Sequence, residues 1–161
     1  MDDLGALLTS ITERMSREKN RGQVADYIPK LAKIDPNQFS ISVALADGQT
    51  LSAGDADTSF SIQSVSKVFA LSLALTRRGA DVWKRVGREP SGDPFNSIVQ
   101  LKADHGIPRN PLINSGAIVI SDIILAACDH VEAVDEVLNF MRNAADDENI
   151  FVDPAVAKSE Q

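Results

Sequence analysis

The stretch Phe60-Ser-Ile-Gln-Ser-Val-Ser-Lys67, followed by the apolar run from Val65 to Thr76, decides how this chain is read. Within it, Ser64 and Lys67 stand three residues apart at the start of a predicted helix. Side chains at i and i+3 share a helix face, so the lysine amine can reach the serine hydroxyl. A serine is a weak nucleophile until a neighbouring base takes its proton. A lysine serves as that base when burial disfavours its ammonium form. Backbone N–H groups at the helix start can also stabilise a developing oxyanion. The bland alternative is an N-cap serine on a solvent-facing first turn. The setting favours the chemistry, because the motif follows a hairpin signal and opens an apolar helix.

Upstream, Phe39 to Leu45 alternates apolar and small polar residues, as does Gln49 to Ala53, and Asp47-Gly48 lies between them. That pattern predicts a β-hairpin. Leu4, Leu7, Leu8, Ile11 and Met15 give residues 1–20 a helical period, ended by Gly22. Residues 24–33 read as a further short helical stretch despite Pro29. Downstream, Gly79 suits the end of the nucleophile helix. Residues 81–113 carry turn chemistry around Glu89-Pro-Ser-Gly-Asp-Pro94 and at Pro108 and Pro111. They read as a long, ordered, irregular segment, a kind that usually serves function. Residues 115–128 read as a buried central helix. Residues 131–145 read as an amphipathic helix with Val134, Val137, Leu138 and Met141 inward. A final helix starts at Asp153-Pro154.

A second candidate site is Asn110-Pro-Leu-Ile-Asn-Ser-Gly-Ala117. Asn114 either caps the helix that follows, the common use of Asn there, or aims its amide at a substrate. Ser159-Glu160 reads on its own as solvated surface. Tyr27, the single tyrosine, reads on its own as a half-buried packing residue. Cys128 reads as a buried, inert thiol, and His105 and His130 as surface positions.

Composition sets outer limits. The 161 residues are 43% hydrophobic and 24% charged, which is globular composition and excludes disorder as the main description. No run of 18 apolar residues exists, so no membrane-spanning helix is expected. The first residues lack a basic and apolar leader pattern. One cysteine excludes an internal disulfide, and two histidines make a Cys/His zinc cluster implausible, so no metal site is expected. The net charge of −7 argues against nucleic acid as a partner. Together these predict a cytoplasmic protein.

Five stretches in order resemble the serine-dependent glutaminases, which have a β-lactamase-like fold. They are Tyr27-Ile-Pro-Lys-Leu-Ala32, Phe60 to Lys67, Glu89-Pro-Ser-Gly-Asp-Pro-Phe-Asn96, Asn110 to Ile118 and Ser159-Glu160. The resemblance implies an α+β fold with an α/β sheet layer and a helical subdomain. It implies hydrolysis of the side-chain amide of L-glutamine to L-glutamate and ammonia, without cofactor. Ser64 would be the nucleophile, Lys67 its base, and Tyr27 an active-site residue near the serine. Asn114 would bind the amino-acid part of glutamine, Glu160 its α-ammonium, and Gln63 would play a supporting role. Ser115 stands where the family often has alanine.

The resemblance also implies a homo-oligomer, dimer or tetramer. It divides the chain into an N-terminal helix (1–22), the start of the sheet subdomain (23–60), and the nucleophile helix with the helical subdomain (61–161). The family's chain is roughly twice as long, so the sequence is expected to be an N-terminal portion that is inactive alone. The alternatives are a β-lactamase- or peptidase-like serine acyl hydrolase, and a non-catalytic helical interaction module.

Overall fold

The fold was read from a computed structural model, which describes residues 2–92, 94, 101, 105–126 and 130–159. The chain divides into two compact units, residues 1–61 with 153–161, and residues 62–152.

In the first unit, helix α1 (Asp2–Arg17) packs against a two-stranded antiparallel sheet of β1 (Ser40–Ala44) and β2 (Thr50–Gly54). Leu8 is the buried residue of α1 at 3% exposure, as its helical period requires. The register pairs Ile41 with Ala53 and Val43 with Leu51, so the apolar positions share one face. The Asp-Gly signal is realised as a three-residue loop rather than a two-residue turn. Leu45 N–H donates to Gln49 O at 2.8 Å and Gly48 N–H to Leu45 O at 3.0 Å, with Gly48 at φ +89°. A left-handed residue closing such a loop is the ordinary three-residue solution.

At the far end of the hairpin, Gly54 sits at φ +79°, where a Cβ would lie 2.2 Å from Phe39 O. Asp55 then locks the hairpin base, its carboxylate accepting from Phe39 N–H at 2.9 Å. The predicted helical stretch over 24–33 shrinks to one 3-10 turn, Leu31–Lys33. Pro29 supplies no N–H donor, and a helix cannot build through it. Helix α5 (Pro154–Ser159) is grouped with this unit and capped by Asp153, whose Oδ1 accepts from Ala155 N–H (2.8 Å) and Val156 N–H (3.1 Å).

The second unit is helical. A 3-10 turn (Gln63–Val65) leads into α2 (Ser66–Arg78), which ends at Gly79 with φ +52°. A 3-10 segment (Gly79–Lys84) follows, and later come α3 (Asn114–Leu125) and α4 (His130–Ala145). The core gathers Leu73 and Ala74 of α2, Val82 and Val86, Ile120, Ile123 and Ile124 of α3, and Ala133 of α4. Val82, Val86 and Ile120 are essentially without solvent contact. Arg77 of α2 pairs with Glu136 of α4, and Arg85 with Asp122 of α3 at 2.7 Å.

Two sequence expectations are corrected here. Val134 does not point inward: it is 52% exposed, and Ala133 takes the core position. Helix α4 carries a stripe wider than the core it covers, so one edge of the stripe stays uncovered. Likewise Ile118 of the central helix is 70% exposed. Cys128 lies outside the described residues. Among the described residues, no helix is long and apolar enough to cross a membrane, and no group of His, Cys, Asp and Glu could hold a metal ion.

Candidate functional site

The site is built where α2 and α3 begin. Ser64 is exposed in the 3-10 turn, and Lys67 lies one turn further on, in the first turn of α2. The residue before the serine, Gln63, has φ +46°. A non-glycine residue in the left-handed region costs roughly 1–2 kcal/mol. Such strain persists only where surrounding structure holds it, and it fixes the direction in which the next residue is presented.

Lys67 reaches across to the start of α3. Its Nζ donates to Asn114 Oδ1 at 2.6 Å and to the Leu112 carbonyl at 3.2 Å. The Asn114 oxygen accepts from the lysine, which leaves the Asn114 NH2 as a donor. This removes one of the two sequence readings of Asn114, the cap. The residue before the helix is Ile113, in extended conformation, and no side chain caps the helix. Asn114 is thus not an N-cap. Its amide belongs to the lysine.

The chain before α3 is held by a residue to which sequence reasoning gave no role of its own, Asn110. Its Oδ1 accepts from Leu112 N–H at 3.0 Å and Ile113 N–H at 3.2 Å, and its Nδ2 donates to Glu89 O at 2.9 Å. The signal was available, since Asn-Pro is a turn-initiating dipeptide. Two backbone bonds, Gly87 N–H to Pro108 O (2.7 Å) and Glu89 N–H to Arg109 O (2.9 Å), tie this segment to the chain after Val86. The long irregular segment therefore has fixed ends. Gly116 completes the assembly, because a Cβ there would sit 1.9 Å from Asn110 O. Only glycine lets the first turn of α3 pass so close to the Asn110 backbone.

The structure thus brings together Lys67 and Asn114, with Ser64 one turn before Lys67. Tyr27 belongs to the first unit, at a bend, and is 79% exposed. That overturns its reading as a packing residue, because an aromatic ring that packs is covered. His105 is exposed in a turn at φ +54°. Glu160, and Asp93, Phe95 and Asn96 of the 89–96 stretch, lie outside the described residues.

A family model described as Glutaminase matches residues 22–161. The chain belongs to the glutaminase family. A glutaminase of Agrobacterium fabrum is 56% identical over 161 residues, covering 100% of this chain and 52% of that relative. A thermolabile glutaminase of Rhizobium etli is 56% identical over 160 residues, covering 99% of this chain and 52% of the relative. The chain therefore spans about half the length of these glutaminases.

Among solved structures, that of Mglu in its tris and glutamate form superposes with a TM-score of 0.87 at 36% identity, over 97% of this chain and 34% of that one. The probable glutaminase ybaS gives 0.85 at 34% identity, over 96% of this chain and 50% of that one. The α+β fold is accordingly the glutaminase fold, as the resemblance implied, in the part that this chain spans.

Proposed function

We propose that this chain carries the nucleophile and general base of a serine-type glutaminase, which hydrolyses the side-chain amide of L-glutamine to L-glutamate and ammonia. The observation that carries the reading is the bond of Lys67 Nζ to Asn114 Oδ1, one turn beyond Ser64. Two acceptors, Asn114 Oδ1 and Leu112 O, orient the lysine amine at the helix start. An oriented amine on the same face as a serine is what a serine acyl transfer needs.

In this reading Lys67 takes the Ser64 proton, and Ser64 Oγ attacks the carboxamide carbon. The oxyanion is held by backbone N–H groups, that of Ser64 among them. The tetrahedral species expels ammonia, with the proton returned from Lys67, and leaves an acyl-enzyme. Water then attacks the ester, releasing glutamate and restoring the serine. The Asn114 NH2 is a donor suited to the glutamine α-carboxylate, and Glu160 an acceptor suited to the α-ammonium. By the family resemblance we assign Tyr27 an active-site role, and Gln63 a supporting part through the strained backbone that precedes the nucleophile. The acidic composition and single cysteine support a cytoplasmic protein, and the family resemblance supports a dimer or tetramer.

The test is a chimera in which these 161 residues replace the matched stretch of the Agrobacterium fabrum glutaminase. We expect ammonia release from L-glutamine and no turnover of a chromogenic β-lactam. Hydrolysis of the β-lactam with none of glutamine would overturn the reading in favour of a β-lactamase-like enzyme.

A further inference from the structure

We propose that Asn110 is a positioning residue for the base: its side-chain amide fixes the peptide plane whose carbonyl holds the Lys67 amine. The inference rests on the reading in which Lys67 takes the proton of Ser64, and it names a further residue on which that base depends.

The carbonyl of Leu112 and the N–H of Ile113 belong to one peptide unit. That unit is planar and trans, so its carbonyl and its N–H point to opposite sides. On one side, Asn110 Oδ1 accepts from Ile113 N–H at 3.2 Å. On the other, Leu112 O accepts from Lys67 Nζ at 3.2 Å. Turning the Asn110 amide therefore turns the carbonyl that meets the lysine. Asn110 Oδ1 also accepts from Leu112 N–H at 3.0 Å, so two successive peptide units hang on one oxygen. The bond to Asn114 Oδ1 fixes one direction of the lysine amine, and Leu112 O fixes a second. Ile113 anchors the same peptide unit from its other end, since its side chain is buried.

Asn110 can hold this plane because it is itself held. Its Nδ2 donates to Glu89 O at 2.9 Å. The backbone bonds of Gly87 to Pro108 and of Glu89 to Arg109 tie the two stretches of chain together. Gly87 lets them approach, since a Cβ there would lie 2.5 Å from Arg109 O. The pair is anchored at Val86, a residue of the core. Position 110 thus uses an acceptor and a donor on one short side chain. An amide supplies both, a carboxylate the acceptor alone, and a methyl neither. A purely structural role would end with Asn110 closing the turn before α3. The contact of the same peptide unit with Lys67 is what carries the inference further.

The test uses the chimera and two readouts. One is steady-state kinetics with L-glutamine. The other, without substrate, is the rate at which an acetylating reagent modifies each lysine, followed by peptide mass spectrometry. Asn110→Ala should lower kcat by roughly 10- to 100-fold with KM little changed, the scale set by misplacing a catalytic group. It should also raise the acetylation rate of Lys67 severalfold and leave the other lysines as they were, because an amine held between acceptors must leave them to attack a reagent. Asn110→Asp keeps the acceptor, so kcat and the Lys67 rate should return most of the way to wild type. A turn-closing role alone would lower the thermal midpoint and leave the Lys67 rate unchanged. An unchanged Lys67 rate in a folded Asn110→Ala protein, or an aspartate variant as impaired as the alanine one, would overturn the proposal. Where Asn110→Ala does not fold, Asn110→Asp decides alone: a wild-type Lys67 rate supports the proposal, and a raised one overturns it. The labelling is independent of turnover. A wild-type chimera that releases no ammonia, yet shows the expected Lys67 pattern, would support the positioning and count against the proposed activity alone.

Discussion

Replacing Gly116 with alanine tests the architecture of the site at its tightest point. The added methyl would lie 1.9 Å from Asn110 O, 2.8 Å from Asn110 C and 2.8 Å from Pro111 Cα. All three are backbone atoms, so no side chain can swing aside. Ordinary non-bonded contact needs about 3.5 Å, so the first turn of α3 and the Asn110–Pro111 backbone must part by more than about 1 Å. Overpacking of this kind costs roughly 1–3 kcal/mol, and a clash with backbone belongs at the upper end.

The displacement acts directly on the lysine. Asn114 and Leu112, which accept from Lys67 Nζ, flank the contact, and Asn110 holds Leu112 and Ile113 through its side chain. A 2.6 Å bond stretched by 1 Å is no longer a hydrogen bond. Misplacement of a catalytic group by that distance costs about 100-fold in rate. The assays are denaturant unfolding of the chain and initial ammonia release by the chimera. Gly5→Ala is the matched control: Gly5 lies inside α1 with nothing within 4 Å of its missing Cβ. That change should stabilise by about 0.5–1 kcal/mol. A Gly116→Ala protein with unchanged unfolding midpoint and unchanged rate would refute the reasoning.

Further outcomes follow from the same contacts. Asn114→Ala removes the acceptor 2.6 Å from Lys67 Nζ, and the chimera's kcat should fall by roughly 10- to 100-fold with an altered pH–rate profile; a change in KM alone would assign Asn114 to substrate binding only. Asp153→Ala removes the cap of α5 and should cost about 1 kcal/mol by thermal denaturation. Asp81 is held below the ordinary carboxylate value of 3.8 by its hydrogen bond from Lys84, and then by the charges of Lys84 and Arg78. Its folded value lies below the unfolded one. The contribution is therefore complete above the unfolded value and is lost as pH falls through the folded value. Asp81→Asn should lower stability slightly at neutral pH, leave it unchanged at pH below the folded value, and so flatten the acid arm of the profile, as thermal melts across that range would show.

How much of this was legible in the sequence depended on the range of the interaction. The hairpin, the nucleophile helix and the two later helices could be read because alternation and helical period are local properties. Periodicity could not say which edge of the α4 stripe is covered, since that depends on what packs above it. Val134 and Ala133 are adjacent, yet one is half in solvent and the other is core. Whether Asn114 caps α3 was undecidable locally, because capping and an amide aimed at substrate both suit an asparagine at a helix start. Its bond to Lys67, 47 residues away, excludes the cap. That Gly116 is required by a close approach to Asn110 O is visible only in three dimensions.

The central claim is that Ser64 is the nucleophile and that the start of α3 arms its base. It is tested most directly by treating the chimera with a glutamine-mimicking diazo ketone and mapping the adduct by peptide mass spectrometry. The account predicts a single adduct on the peptide bearing Ser64, absent from Ser64→Ala and strongly slowed in Lys67→Ala. Labelling of another residue, or equal labelling of the Ser64→Ala protein, would contradict it.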